Sequence, residues 1–243
     1  MISVICVYNN EKVLKDYLLK HLKTQNKNYE LILLDNTSGK FFSAAKALNY
    51  GANLAKSEYL MFIHQDFDLL YDSWLEDAEM ILKNLDNLGI AGIAGRSKGK
   101  GWTITNIKDG IPPKFISPER IKKPIKVQTL DECLFIIPKT VFKLLKFDED
   151  VCDGWHLYAV DYCLSIKNLG YDIYVIPLSG HHKSQADSLS EGYYSTLKKL
   201  LDKHGKSYEL IHTTMGNWSV KYPLRLQKYF YSIKNNAWIL LKR

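Results

Sequence analysis

Long hydrophobic runs are what this sequence most plainly lacks. No apolar stretch approaches the roughly 18 residues that a helical membrane span needs. The opening MISVICVY has neither the basic start nor the length of a secretory leader. Cysteine is scarce: Cys6, Cys133, Cys152 and Cys163 form no Cys-x-x-Cys pair, and three of them sit in apolar contexts. Buried, unpaired thiols are therefore expected, which fits a reducing cytoplasm. The expected location is cytoplasmic, with attachment at the inner face of the membrane left open. A Gly-x-Gly-x-x-Gly fingerprint and a P-loop are both missing, which counts against dinucleotide oxidoreductases and P-loop nucleotide hydrolases. Internal repeats and low-complexity tracts are missing too.

What is present suits a folded α/β protein. Hydrophobic residues make up 46% of the 243, enough for a substantial core and for one large domain or two small ones. Lys and Arg number 33 against 26 Asp and Glu, a net charge of +7 that favours anionic partners such as nucleotides, phosphorylated lipids or membrane surfaces. Nucleic acid is not expected, because the basic residues are dispersed and the aromatic ones mostly occupy core positions rather than a stacking platform.

Strands and helices alternate along the first half. ISVICVY (2–8) reads as a buried strand, and Asn9 and Asn10 are placed to cap a helix carrying Val13, Leu14, Tyr17, Leu18, His21 and Leu22 on one face. YELILLD (29–35) reads as a second buried strand, and residues 43–56 as a helix of small residues capped by Ser43. YLMFIHQ is the third strand, 72–85 a helix, and GIAGIAG (89–95) a fourth strand. This order predicts a doubly wound, mostly parallel sheet flanked by helices. From Arg96 to Gln128 the pattern breaks into a Gly-, Pro- and Lys-rich stretch that reads as a lid or acceptor loop, or as a floppy insertion. The core resumes with a strand over 129–138, a short helix, a helix from about 155 to 169 ending at Gly170, and a strand over 171–177. Residues 189–243 read as helices, packed on the domain or lying at a membrane surface through the basic, aromatic LRLQKYFYSIKNNAWILLKR.

Ligands in such sheets bind beyond the carboxyl ends of the strands. Those ends carry Tyr8 and Asn9, then Asp35 and Asn36, then His64, Asp66 and Asp68. Any one of these could be a surface turn; three successive strands delivering polar and acidic groups to one rim favour a site.

The ordered set of motifs resembles glycosyltransferase family 2, which has the GT-A fold, and within it a bacterial branch whose strand-end motif is His-Gln-Asp rather than Asp-x-Asp. SVICVYNNE, LILLDNTS, AKALNYGANLAKSEYLMFIHQD, LDECLFIIPKTVF, FDEDVCDGWHLYAVDYCLSIKNLGYDIYVIP and HHKS carry the likeness over residues 2–184, and the C-terminal segment lies outside it. The resemblance implies a transferase domain over 1–188, with 95–128 as the acceptor loop. It further implies a nucleotide pocket lined by Tyr8 and Asn9, with Asp35 and Asn36 at the second strand, Asn49 and Lys46 on the following helix, and Asp131 at the donor sugar. Asp66 matches the metal-binding aspartate, Asp68 could converge on the same ion, and His182 matches the late histidine at the metal or diphosphate. The implied ligands are Mn²⁺ or Mg²⁺, a UDP-, GDP- or dTDP-sugar, and a glycan or lipid-linked acceptor in bacterial surface polysaccharide synthesis.

The chemistry sets its own demands. The departing nucleoside diphosphate gains negative charge, which a cation with oxygen ligands can offset. His64 replaces the usual first aspartate, and imidazole suits Mn²⁺ better than Mg²⁺. An inverting transfer also needs a general base. The family's Glu-Asp pair falls on Tyr158 and Ala159, so the candidates become Asp153 and His156, with Asp161 deeper in the helix. A rival reading keeps the fold and drops the chemistry: a catalytically degenerate homologue that binds a nucleotide sugar or nucleic acid. A nucleotidyltransferase would carry a Gly-rich basic loop after the first strand, and VYNNEKV has none.

Overall fold

The computed structural model describes residues 1–183 and 189–231. The chain opens with β1 (Ile2–Tyr8), two short helices α1 (Glu11–Asp16) and α2 (Leu18–Leu22), and β2 (Glu30–Asp35). Then come α3 (Ala44–Leu54), β3 (Tyr59–Ile63), β4 (Phe67–Asp68), α4 (Trp74–Lys83), β5 (Leu88–Gly92) and β6 (Ala94–Arg96). The Gly- and Lys-rich stretch contains β7 (Ile104–Thr105), β8 (Lys108–Asp109), β9 (Lys114–Phe115) and β10 (Ile125–Lys126). It is followed by β11 (Thr129–Leu130), β12 (Leu134–Pro138), α5 (Lys139–Leu144), α6 (Tyr158–Asn168), β13 (Asp172–Val175) and β14 (His181–His182). The described C-terminal part holds α7 (Glu191–His204), β15 (Leu210–Thr213) and β16 (Gly216–Ser219), with a last helical stretch over 224–231.

A 7-stranded sheet in the order β10-β13-β5-β12-β3-β1-β2 forms the centre. β1, β2, β3, β5 and β13 run one way; β10 and β12 run against their neighbours. Alternating side chains divide the core between the two faces. Ile5, Phe62, Phe135 and Ile173 pack with α3, α5 and α6, while Val4, Cys6, Met61, Ile63 and Ile136 pack with α1, α2 and α4. α3 approaches β1 closely enough that a Cβ on Gly51 would lie 2.7 Å from Ile5 Cγ2. The four cysteines are all buried and free.

Several elements differ from the sequence reading. The first helix is divided at Tyr17, whose backbone (φ −115, ψ −82) leaves the helical region. Asn10 caps it by accepting from the Val13 amide at 3.1 Å. β2 is an edge strand with Leu31 and Leu33 exposed, not a buried one, because nothing pairs beyond it in the sheet. The strands expected at 89–95 and 129–138 each split in two, since β6 and β11 leave the main sheet to pair with each other beside β7. The stretch from 96 to 128 is stitched down rather than loose. Thr105 Oγ1 donates to the Ile93 carbonyl at 2.7 Å, and Asn106 holds both backbone groups of Ile121 and the Pro177 carbonyl.

The C-terminal segment is not all helical. β15 and β16 form an antiparallel hairpin, with Thr213 closing the turn against Gly216. Its Ile211 and Trp218 pack with Tyr193, Leu197 and Leu200 of α7 onto Leu157, Val160 and Leu164. Beneath them Asp161 of α6 is bound by His204 and Lys203, each at 2.8 Å. No helix among the described residues is long and apolar enough to cross a membrane. The part of the basic, aromatic C-terminus beyond residue 231 lies outside the described residues.

Candidate functional site

The His-Gln-Asp triplet sits just past the end of β3, and each member has a different task. Gln65 turns toward β1: its Oε1 accepts from the amides of Asn9 (3.1 Å) and Asn10 (3.0 Å), and its Nε2 donates to Asn9 Oδ1 at 2.6 Å. It clips two neighbouring strand ends together and leaves His64 and Asp66 on either side. β4 then pairs with β14, and β14 pairs with β8, a small sheet that carries the late histidine to the same place.

His64, Asp66 and His182 each offer a ligand atom, and these atoms lie within 4.8 Å of one another. His182 Nε2 is 3.4 Å from both His64 Nδ1 and Asp66 Oδ1, and its Nδ1 is 3.5 Å from Asp109 Oδ1. His64 Nε2 faces the Tyr158 hydroxyl at 3.1 Å. Burial and the neighbouring His182 push the His64 pKa down to about 4, so this ring is neutral. Burial also opposes charge on His182, but Asp109 and Asp66 outweigh it and lift the pKa to about 10. Asp66 is drawn below the usual carboxylate range by His182 and His64 in spite of its burial. The tautomer a ligand needs, with Nε2–H donating to the Tyr158 hydroxyl and Nδ1 bare toward the cluster, is compatible with these contacts. Two imidazoles and one carboxylate at this spacing fit a Mn²⁺-type cation and suit Mg²⁺ less well.

Two cavities meet at this cluster. The first, of about 400 Å³, is lined by Tyr8, Asn9, Asn36, His64, Gln65 and Asp66 among others. The second, of about 480 Å³, includes Asp109, Asp131, His156 and His182, with Tyr193, Thr213 and Thr214 from the C-terminal segment. His64, Glu132 and Trp155 belong to both walls.

The structure thus brings together Tyr8, Asn9, Asn36, Asp66 and His182, with Asp131 and His156 across the junction. The Asp131 carboxylate accepts from Thr214 Oγ1 at 2.7 Å and from the Cys133 amide at 3.0 Å, and His156 Nε2 lies 3.2 Å from Ser190 Oγ. Other expected site residues are placed elsewhere. Asp68 is engaged by His21 at 2.6 Å and by the Leu70 amide, and does not converge on the cluster, because the turn after His64 breaks the strand geometry that would have aligned it with Asp66. Asn49 is buried and clips both backbone groups of Phe147 and the Glu149 carboxylate to α3. Lys46 is exposed and lines neither cavity. Asp35 is exposed at the rim beside Tyr8, its carboxylate taken by the amide and hydroxyl of Thr37, both at 2.8 Å. Asp153 is drawn outward by Lys199 at 2.6 Å and lines neither cavity. The sequence reading missed Glu132 and Trp155. The available signal for Glu132 was its place between Asp131 and an apolar run, in a segment taken for continuous strand.

The family model described as "Glycosyltransferase like family" matches residues 3–204. The chain belongs to that family. No curated protein matches the sequence. Among solved structures, that of GalNAc-T7 with UDP, GalNAc and Mn²⁺ is 14% identical with a TM-score of 0.61, over 83% of this chain and 47% of that one. The mannosyltransferase PcManGT from Pyrobaculum calidifontis, in complex with GDP-Man and Mn²⁺, is 14% identical with a TM-score of 0.59, over 85% of this chain and 64% of that one. S. aureus TarS 1-349 in complex with UDP-GlcNAc is 15% identical with a TM-score of 0.56, over 83% of this chain and 66% of that one. At these identities the likeness shows a shared GT-A fold; this glycosyltransferase-like chain spans only part of the length of each of these structures.

Proposed function

We propose that this protein moves a sugar from a nucleoside-diphosphate sugar to a hydroxyl of a glycan or lipid-linked acceptor, inverting the anomeric carbon, with a divalent cation held by His64, Asp66 and His182. The observation that carries the reading is the position of that cluster at the junction of two cavities. The first cavity has the phenol and amide groups of Tyr8, Asn9 and Asn36 to take a nucleoside, with the Asp66 end left for the diphosphate. When bound, the cation supplies positive charge to the departing diphosphate. The second cavity takes the acceptor. Separate cavities for donor and acceptor that share His64 are compatible with an in-line displacement and so with inversion.

On this reading residues 1–188 form the catalytic unit, and the C-terminal segment completes the acceptor wall through Tyr193, Thr213 and Thr214. The net charge of +7, with Tyr222, Tyr229 and Phe230 exposed, supports work at the inner face of a membrane on a lipid-linked intermediate of bacterial surface polysaccharide. The test is a thermal-shift series with UDP, GDP and dTDP, each with and without Mn²⁺. A nucleotide at 100 times its dissociation constant adds about 2.7 kcal/mol of stability, and the gain should require Mn²⁺. If all three leave the transition unmoved, the transferase reading fails.

A further inference from the structure

We propose that Glu132 is the general base of the transfer, taking the proton of the acceptor hydroxyl as that oxygen attacks; this rests on the transferase reading above. Glu132 projects from the short irregular segment between β11 and β12, where the Cys133 amide folds back onto Asp131. With His64 and Trp155 it lines both cavities, so it stands on the wall that a donor and an acceptor would share. Its Oε1 is buried and has no hydrogen-bond partner. Glu79 Oε2 and Asp109 Oδ1 are likewise buried without a hydrogen bond, but Glu79 is ion-paired with Lys27 and Lys83 and Asp109 faces His182, whereas Asp161 is taken by His204 and Lys203. A buried carboxylate oxygen without a partner costs stability unless something else uses it.

The surroundings suit the task. The amides of Leu157, Tyr158 and Ala159 at the start of α6 favour the carboxylate, yet burial and the adjacent Asp131 outweigh them and hold its pKa well above the usual range. A carboxyl raised in this way accepts a proton more readily than an ordinary one. The competing groups are less well placed. Asp131 is occupied by Thr214 and Cys133. His156 lines only the second cavity, faces Ser190, and burial lowers its pKa.

The step balances without an oxidant or reductant. The acceptor oxygen forms its bond to the anomeric carbon while the bond from that carbon to the diphosphate oxygen breaks. The electron pair of the broken bond leaves with the nucleoside diphosphate, and the acceptor proton passes to the Glu132 carboxylate.

The experiment uses the whole chain and a panel of UDP-, GDP- and dTDP-sugars, with water as the acceptor and released nucleoside diphosphate as the signal. Glu132→Gln should lower kcat about 10²- to 10⁴-fold, while calorimetric donor affinity stays within about threefold of wild type, since binding does not need the base. The acidic limb of the wild-type kcat profile should vanish in Glu132→Gln. In Glu132→Ala, azide, a nucleophile with no proton to lose, should restore turnover and give a glycosyl azide. Glu132→Asp tests the same limb should the glutamine variant fail to fold. Glu132→Gln turning over at the wild-type rate would overturn the proposal, as would a loss of turnover matched by a loss of donor affinity, or a large loss in His156→Gln alone. Wild-type protein that releases diphosphate from no sugar in the panel would instead overturn the transferase reading itself.

Discussion

Binding of Mn²⁺ should expel one proton, and the affinity should climb with pH. Of the three cluster residues only His182 has a proton to lose near neutrality. Asp66 is held ionised, and His64, pushed down to about 4, is already neutral and can offer Nδ1 with no net proton to lose. His182 lies in the opposite regime, lifted to about 10 by Asp109 and Asp66. A cation needs the lone pair on that ring, so at pH 7 the three-unit gap costs on the order of 4 kcal/mol at 1.36 kcal/mol per unit. The apparent association constant should therefore rise about tenfold per pH unit between pH 6 and 8. The sign for the metal-free protein is the reverse. A histidine whose folded pKa is raised contributes stability that is fully present below its unfolded value of about 6.5 and is lost as pH rises toward 10. Raising the pH should thus weaken the metal-free fold and widen the gap between it and the Mn²⁺-bound form. Titration calorimetry in two buffers of different ionisation enthalpy counts the proton directly. His182→Gln should bind Mn²⁺ weakly and without a pH slope. A wild-type affinity flat from pH 6 to 8, with no proton released, would refute the assignment of His182 as a ligand.

Three further outcomes follow from the same geometry. Asp66→Ala should abolish turnover without unfolding the protein, whereas Asp68→Asn should leave Mn²⁺ affinity within about threefold and cost about 1–2 kcal/mol in stability through the lost His21 contact; equal effects on metal binding would return Asp68 to the site. Gly180→Ala places a Cβ 2.2 Å from Phe67 Cζ, between β4 and β14, so both the thermal midpoint and Mn²⁺ affinity should fall, and a loss of neither would show that this contact does not position His182. Asp161→Ala leaves His204 without its acid under α7 and Lys203 with Asp148 alone, and urea unfolding should show a loss of about 3 kcal/mol; a loss below about 1 kcal/mol would mean that the buried Asp161 pair does not hold the C-terminal segment.

The alternation of strands and helices and the helix caps at Asn10 and Ser43 were legible because each follows from local periodicity and capping chemistry. Asp66 and His182 were reached through the resemblance, and the structure places their ligand atoms, with that of His64, within 4.8 Å of one another. What the sequence hid was long-range. Asn49 looks like a ligand on a helix above the nucleotide and is spent on Phe147, 98 residues away. Asp153 looks like an acid facing the cleft until Lys199 of α7 is seen to draw it out. β15 and β16 fall in the 189–243 segment that read as helices, but the Thr213–Gly216 turn and its pairing decide otherwise. Tertiary partners settled each of these cases, and no window of neighbouring residues contains them.

The same reasoning changes what the stretch between Arg96 and Gln128 is for. Its composition suggests a lid, yet its strand β8 pairs in parallel with β14, giving His181 opposite Lys108 and His182 opposite Asp109. Asp109 then faces His182 Nδ1 while Asp66 faces Nε2, so one imidazole is held between an acid from β3's end and an acid from the insertion. An outer partner of this kind sets the ring's orientation and its basicity. The insertion therefore acts first as the scaffold of the late histidine and only then as a wall of the second cavity, to which it adds Ile107 and Ile116. A loop with that duty cannot swing freely without releasing His182, and beyond β9 it is tied again, by Asn106 to Ile121 and by β10 to β13.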